Sequence, residues 1–506
     1  MSSESAPARM TFARRRLITT ACLLAQFMAA VEATIVSTAM PTIIGDLGGF
    51  RLFSWVFAAY LLTQAASTPV YGRLADLWGR KRVFLAGAVI FLAGSTACGF
   101  ASSMLALILF RAVQGLGAGA VQPIAWTVIG DIYPPADRAR MQGWLSAVFG
   151  VSAIAGPLLG GFIVQYLHWS LVFWINLPIG AAAAAMLLML LDEHAAPRHF
   201  RIDYVGALLL MFGVGAAMLA LVEAQELPPL MLALLAGAGA AALVLLAVHE
   251  LRVPEPIVPF RLWRHPLIAI GNFGASVIGL TMMCNSGYLP AYVQGAMGKS
   301  PTVAGLVLGS SSVTWTLGTM LAARIMGRSS YRASGIAGAL ITLGGTGLLL
   351  TLTPSSGWAW AALGASTFGL GMGASNTTFI VAVQTAVGWG ERGAITAANL
   401  FMRTMGQALG AALFGFVLTR GIARQVPDAG DAINRLLQHG ELPSALATRL
   451  AAAFGAAMHG AYYIVGLFAL ITLAFSFGIP ARLSPTRLPA ANATPQTRLA
   501  RGTADD

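Results

Sequence analysis

One carboxylate lies deep inside the first long apolar stretch of the chain. Glu32 falls within residues 17–41, which as a helix would be about 37 Å long and could cross a bilayer. A carboxylate in hydrocarbon costs roughly 2.5 kcal/mol or more unless it is protonated, solvated or paired. Because removal of water favours the neutral form of a carboxyl group, a group at this depth is suited to exchange protons. We therefore predict that Glu32 carries protons, with a permanently bonded structural carboxyl as the alternative.

A basic residue occupies a similar depth in a later apolar stretch, residues 104–129. Arg111 begins a stripe along one helix face, since its successors recur at spacings of three or four residues: Gly115, Gly119, Gln122 and Trp126. We expect this face to be polar at both ends, open in the middle and part of a cavity wall. A cation near Glu32 would favour its charged form and help to expel the proton. A static buried ion pair is the competing interpretation.

Two more polar stripes have helical spacing. One contains Asn399, Arg403 and Gln407, and a weaker one contains Tyr60 and Gln64. The residues that we predict to line a substrate cavity are Tyr60, Gln64, Gln122, Trp126, Asn399, Arg403 and Gln407. For Arg403, a side chain that extends to the membrane surface is the alternative.

A charged segment separates the second and third apolar stretches. It runs from Gly72 to Arg82 and contains Asp76, Gly79 and Arg80. A carboxylate among basic residues at helix ends can cap one helix and pair across to another. We interpret the segment as a cytoplasmic loop that acts as a conformational latch, with a simple topology anchor as the alternative.

A glycine–proline cluster lies in the fifth apolar stretch. Gly156 and Gly160 allow close approach of another backbone, and Pro157 favours a kink. Tight packing is the minimal interpretation. The functional one is that a kinked, closely packed helix seals one face of the cavity.

Composition places the chain in the membrane. It has 506 residues, of which 57% are hydrophobic and 10% charged, against about 25% charged in a typical soluble domain. The net charge of +12 does not indicate nucleic-acid binding, because the basic residues are scattered between apolar stretches. The sequence shows no metal-ligand spacing, no nucleotide-binding loop and no nucleophile–base arrangement. We expect no cofactor, no metal and no enzymatic activity.

The apolar stretches number fourteen, and their order predicts the architecture. Most of the 31 Lys and Arg residues lie in the connections on the side of the N-terminus, which predicts that both termini are cytoplasmic. The Pro, Gly-Arg and Gly-rich positions of the first half recur in the second at nearly constant offset, as in a duplicated transporter. We predict an all-α membrane fold with these parts: residues 1–192, a six-helix bundle; 193–258, two inserted helices; 259–480, a second six-helix bundle; and 481–506, a disordered cytoplasmic tail.

Together these motifs resemble the major facilitator superfamily, and within it the fourteen-helix drug:proton antiporters of the EmrB/QacA type. The resemblance covers nearly the whole chain. The similar segments are Gly72–Arg82, Arg111-x-x-Gln114-Gly115-x-Gly117, Gly156-Pro157-x-x-Gly160-Gly161, Phe173-x-Ile175-Asn176-x-Pro178-Ile179-Gly180 and Asp203-Tyr204-x-Gly206. The sequence departs from that family at Glu32, where Asp is usual, and at Ser170 and Leu171, where Arg and Trp are usual.

The resemblance implies a multi-pass protein of the bacterial inner membrane that exchanges lipophilic drugs, dyes or toxic metabolites for protons. Some members of the family work with a periplasmic adaptor and an outer-membrane channel, which are therefore candidate partners. A dedicated exporter of one metabolite or antibiotic is an alternative of the same class. A non-transporting membrane sensor is an alternative of another class, which the absence of a recognisable soluble signalling domain disfavours.

Overall fold

Long helices dominate the computed structural model, which describes residues 11–133, 135–192, 203–223, 227–253, 261–387, 392–426 and 444–481. The first-half helices are α1 (Phe12–Leu47), α2 (Phe53–Trp78), α3 (Arg80–Gly99), α4 (Met104–Ile132), α5 (Pro135–Tyr166), α6 (Leu171–Trp174) and α7 (Asn176–Leu190). Two helices follow, α8 (Tyr204–Val222) and α9 (Pro229–Glu250). The second-half helices are α10 (Pro266–Met283), α11 (Leu289–Gly295), α12 (Pro301–Arg328), α13 (Tyr331–Leu350), α14 (Trp358–Thr385), α15 (Arg392–Gln425) and α16 (Ser444–Phe477).

Local chemistry explains where several helices begin. Ser103 and Ser330 accept hydrogen bonds from the backbone N–H groups of Ala106 and Ala333, at 3.2 and 3.0 Å. Such caps satisfy donors that a helix N-terminus leaves free. Pro301 occupies the first turn of α12, where its missing N–H costs nothing.

The predicted apolar stretches coincide with the helices. Eleven helices or helix pairs of the described chain are long and apolar enough to cross a membrane. Helices α2, α5 and α14 correspond to the other three predicted spans and are 26, 32 and 28 residues long. Helices α6 and α7 together form the sixth predicted span, and α10 with α11 the ninth. The all-α membrane fold is thus confirmed.

The two halves repeat one packing scheme. In the first half α4 packs on α2 and α3, and α1 packs on α5 and α7; in the second, α14 packs on α12 and α13, and α10 on α15 and α16. This is the arrangement that a duplicated six-helix unit predicts. The domain limits that we derived from the sequence stay a prediction, and residues 482–506 of the predicted tail lie outside the described chain.

Alternating glycines show the repeat in atomic detail. A Cβ on Gly115 or Gly119 would collide with α2, whereas one on Gly117 would collide with α3. In α14, Gly369 and Gly373 face α12 in the same way, and Gly371 faces α13. Each motif therefore lets one helix lie against two neighbours at backbone contact distance.

Helices α8 and α9 form an antiparallel pair between the halves. Helix α8 packs on α9 and also on α2 and α15, which belong to opposite halves. At the start of α8, Asp203 accepts hydrogen bonds from the Gly206 N–H at 2.8 Å and from His249 Nε2 of α9 at 2.7 Å. At the other end, Arg51 lies 3.6 Å from Glu223 and ties α8 to the start of α2.

The structure corrects three sequence-based boundaries. Pro41 does not end the first helix but lies inside α1, whereas its counterpart Pro290 follows a π-helical turn, Cys284–Tyr288. The predicted loop from Gly72 to Arg82 is helical apart from Gly79, whose φ of 94° separates α2 from α3. The sequence also predicts a long external loop from Thr419 to Met458. In the structure this connection is shorter, because α15 continues to Gln425 and α16 begins at Ser444.

Candidate functional site

An ion pair between Glu32 of α1 and Arg111 of α4 forms the centre of the first bundle. Arg111 Nη1 donates to Glu32 Oε1. Glu32 is 0% exposed and Arg111 2% exposed, so protein atoms enclose both charges. Buried charges are tolerated when they are paired and fully hydrogen-bonded, and both requirements are met here.

Uncharged side chains complete the hydrogen bonding of the pair. Asn176 of α7 donates its Nδ2 to Glu32 Oε2 at 2.6 Å and to Ser95 Oγ at 3.0 Å. Gln114 of α4 accepts from Arg111 Nη1 at 2.7 Å and donates to the same Ser95 Oγ at 3.0 Å. Both carboxylate oxygens thus have a donor, and α1, α3, α4 and α7 meet in one network.

Helix α2 contributes further contacts to the guanidinium. Arg111 Nε donates to the Val56 carbonyl oxygen at 3.3 Å, and its Cζ lies 4.1 Å from the ring centroid of Tyr60. The face of an aromatic ring attracts a cation. Among the described residues the buried Tyr60 hydroxyl has no hydrogen-bond partner, and the ring of Tyr60 is the part that contacts Arg111.

Sequence reasoning found the two charges but missed most of their partners. Gln114 and Asn176 stood in the motifs quoted above, yet no role followed from those motifs alone. Ser95 carries no sequence signal at all, because a single serine in an apolar helix usually bonds to its own backbone. The sequence placed Tyr60 only in a substrate cavity. In the structure Tyr60 lies against Arg111.

The glycine part of the Arg111 stripe does not form an open cavity wall. Gly115 and Gly119 are in backbone contact with α2, as described above. The residues do share one helix face, as the spacing of three and four residues predicted. A stripe of glycines also permits close helix packing, however, and here these glycines pack against α2. Farther along the stripe, Trp126 Nε1 donates to Gln26 Oε1 of α1 at 3.0 Å. Gln122 and Gln64 are half-buried.

The stripe of the second half is engaged mainly with α10. Asn399 is buried and donates to the Gly271 carbonyl oxygen at 3.0 Å and to Asn272 Oδ1 at 3.3 Å. Gln407 approaches Met282 Sδ at 3.5 Å. Arg403 is half-buried, and its enclosed Nε has no hydrogen-bond partner.

Comparison with known proteins agrees with this architecture. A family model described as the Major Facilitator Superfamily matches residues 22–411. Multidrug resistance protein 3 of Bacillus subtilis is 34% identical over 420 residues, which cover 82% of each chain. Multidrug export protein EmrB of Haemophilus influenzae is 34% identical over 321 residues, 62% of each chain.

The chain belongs to the Major Facilitator Superfamily.

A solved structure supports the fold. A bacterial homolog of the human lysosomal transporter Spinster, in an inward-facing and unoccupied conformation, superposes with a TM-score of 0.67 at 17% identity. The match covers 94% of this chain and 100% of that one. The family match, the relatives and the eleven membrane-length apolar helices of the described chain together show a multi-pass membrane protein of the transporter type.

Several contacts between the halves of this superfamily member lie at the end opposite Arg14. Gln294 of α11 donates its Nε2 to the Thr38 carbonyl oxygen of α1 at 3.0 Å. The rings of Phe53 and Tyr288 lie 4.8 Å apart in an edge-to-face arrangement. Phe50 and Phe454 add a second aromatic contact at 6.4 Å. These contacts close the predicted outer side above the ion pair.

The superfamily's cytoplasmic signature segment contributes an ion pair between Arg80 and Asp131. Arg80 starts α3 and Asp131 lies at the end of α4, so each charge is at the unfavourable end of its own helix dipole. Their pairing offsets both penalties and ties the two helix ends together. Gly72 is exposed near the end of α2, and the side chain of Asp76 lies outside the described residues.

The glycine–proline motif lies where three helices converge. A Cβ on Gly156 or Gly160 would collide with Thr34 or Thr38 of α1, whereas Gly161 faces α12. Gly305 of α12 lies against the Pro157 carbonyl. Helix α5 runs continuously through Pro157 from Pro135 to Tyr166. The motif thus packs against α1 on one side and against the second half of the protein on the other.

Two glycines of α5 allow a matched test of this interface. A Cβ on Gly161 would lie 2.6 Å from the Pro301 carbonyl oxygen, whereas one on Gly150 would lie 3.6 Å from Thr316 Oγ1 of the same helix α12. We expect Gly161→Ala to destabilise the protein by about 1–3 kcal/mol through overpacking. Gly150→Ala should be neutral or stabilising, since Ala favours helix. Melting temperatures in one detergent compare the two, and equal values would show that α5 and α12 are loosely packed.

Proposed function

We propose that this protein is a proton-coupled antiporter that exports lipophilic drugs, dyes or other toxic compounds across the bacterial inner membrane. The observation that carries the proposal is the enclosed Glu32–Arg111 pair, an expensive arrangement at a depth where transporters keep proton relays. The printed names of the relatives, a multidrug resistance protein and a multidrug export protein, support the substrate class.

The geometry supplies a coupling step. In the described conformation Glu32 has no contact with solvent, so a proton reaches it only after the helices around it separate. Protonation removes the negative charge and with it the attraction that holds α1 to α4. Arg111 keeps two acceptors, Gln114 Oε1 and the Val56 carbonyl, so it does not become an unsatisfied cation. A single proton therefore changes which helices are held together.

The same network gives the release step. When the halves close on the outer side, Arg111 returns to Glu32 as its ion-pair partner, and the proton leaves toward the cytoplasm. Substrate leaves in the opposite conformation. Because α5 contacts both α1 and the second-half helix α12, a shift of α1 is transmitted to the interface between the halves.

Purified protein in proteoliposomes tests this function. An imposed pH gradient should drive at least one dye of a lipophilic panel with cationic, neutral and anionic members from the side that represents the cytoplasm to the acidic side. Nigericin, which collapses the gradient in potassium medium, should stop the movement. Dye movement that persists at full rate after nigericin would contradict proton coupling.

We further propose that the signature segment acts as a conformational latch through Arg80 and Asp131. Loss of the tie should slow the change of conformation without altering the substrate site. We expect Asp131→Asn to lower the turnover rate while the equilibrium Kd for substrate stays within about twofold. Asp46→Asn, at the exposed far end of α1, is the control. If Kd rises as much as turnover falls, the pair is not a latch.

The periplasmic adaptor and the outer-membrane channel stay predictions from the resemblance. The alternative of a dedicated exporter differs from the proposal only in the breadth of substrates. A drug-susceptibility panel in a host that lacks its own efflux pumps separates the two, since a dedicated exporter protects against one compound.

A further inference from the structure

The charges inside the predicted spans do not balance. Away from the ends of the fourteen apolar stretches the chain carries three charged side chains, Glu32, Arg111 and Arg403. Glu32 and Arg111 neutralise each other in the first bundle. The membrane interior is therefore left with one positive charge, on Arg403.

Arg403 has no compensating partner in the described chain. Among the described residues it forms no ion pair, and its enclosed Nε has no acceptor. The acidic residue closest to it in the sequence is Glu391, twelve positions away. A guanidinium has five N–H donors and stays protonated, so it needs acceptors from somewhere else.

The position of Arg403 favours the bundle interior over the lipid. A Cβ on Gly279 of α10 would collide with the Arg403 carbonyl and lie 3.0 Å from the Gln407 backbone nitrogen, so α10 and α15 cross at this turn. Helix α15 also packs on α2 of the other half. Charged residues at this depth nearly always face a bundle interior or a water-filled space, because hydrocarbon cannot solvate them.

The polar neighbours of Arg403 already have contacts, whereas Arg403 has an N–H donor without an acceptor among the described residues. Asn399 uses its amide on the backbone and side chain of α10, and Gln407 lies against Met282. These amides stabilise helix packing, whereas Arg403 adds a fork of donors that matches a carboxylate or phenolate. A lipophilic cation would be repelled by it.

We propose that Arg403 selects organic anions, so that the preferred substrates are lipophilic compounds that carry a carboxylate or phenolate. This inference rests on the proposed export function and specifies its substrate class. Neutral compounds of the same shape bind less well, because they leave the guanidinium without its counter-charge. Lipophilic cations bind least.

Equilibrium binding tests the inference without a pH gradient. The probes share one ring system: 1-pyrenebutanoate, its neutral carboxamide and the cationic 1-pyrenebutylamine. Quenching of the protein's Trp fluorescence measures the Kd of each for the full-length protein in lipid nanodiscs. We expect the wild type to bind the carboxylate about tenfold or more tightly than the carboxamide, as a charge-assisted bidentate contact provides.

Variants then assign the preference to one residue. Arg403→Gln should weaken carboxylate binding about tenfold or more and leave carboxamide binding within about twofold. Arg420→Gln removes the same charge from the exposed end of the same helix and should change neither. Equal loss for both probes in Arg403→Gln would mean a structural role and overturn the inference, as would a wild type that binds the carboxylate no better than the carboxamide, or not at all.

The outcomes separate this inference from the proposed function. Gradient-driven export of any dye of the panel by a protein without an anion preference would refute the role of Arg403 alone. An Arg403-dependent anion preference in a protein that a pH gradient does not drive would refute proton-coupled export and leave the binding site in place.

Discussion

Replacing Glu32 by Gln should abolish export that is driven by a pH gradient, down to the level of protein-free vesicles. Gln keeps the size of the side chain and an acceptor for Arg111, but it cannot take up or release a proton at physiological pH. The hydrogen bond with Asn176 can also persist, because the amide of Asn176 is able to turn its oxygen toward the new donor. Dye movement in proteoliposomes under an imposed gradient measures the effect.

Glu32→Asp distinguishes the effect of the ionisable group from the effect of the side-chain length. Asp keeps the ionisable group but is one methylene shorter, about 1.5 Å. It therefore cannot hold Arg111 and Asn176 at their present positions together, and we expect reduced but gradient-dependent export. Substrate binding without a gradient is the control for folding. Export by Glu32→Gln at the wild-type rate would mean that the pair is only structural.

Replacing Arg111 by Ala should have the largest effect on stability. It leaves the Glu32 carboxylate buried without its cation, a change that costs roughly 3–5 kcal/mol in buried pairs. Melting temperatures of the variant and the wild type in one detergent measure this loss.

The pH profile of export is a second readout for Arg111→Ala. Because Arg111 is the charge paired with Glu32, its removal should change the pH at which export is half-maximal. An unshifted midpoint would show that the two residues do not communicate in the working protein.

Matched variants test the pairing itself. The double variant Glu32→Gln, Arg111→Gln removes both charges and should recover most of the stability while it stays inactive. Arg111→Lys keeps the charge and should leave the midpoint nearer to the wild type. It should still lose stability, because Arg111 uses separate nitrogens for Glu32 and the Val56 carbonyl and lies over Tyr60, which one ammonium group cannot reproduce. A double variant no more stable than Arg111→Ala would argue against a compensating pair.

The sequence alone determined the membrane architecture. Long apolar stretches can satisfy their backbone only as helices in a bilayer, so length and composition were enough to locate the spans. The same physics singled out Glu32 and Arg111, because charges in hydrocarbon are too costly to be incidental. The repeat of Gly115 and Gly117 at Gly369 and Gly371 indicated the duplication, since close helix packing leaves a glycine pattern in the sequence.

Only the tertiary structure decided how these residues meet. A helical stripe gives the face of a helix but not its neighbour, so the sequence could not distinguish an open wall at Gly115 and Gly119 from the tight contact with α2. The direct contact of Glu32 with Arg111, and the roles of Ser95 and Asn176, depend on how four helices are placed in space. Hydrogen bonds of this kind join residues that lie from 19 to 144 positions apart, and no local propensity encodes such a distance.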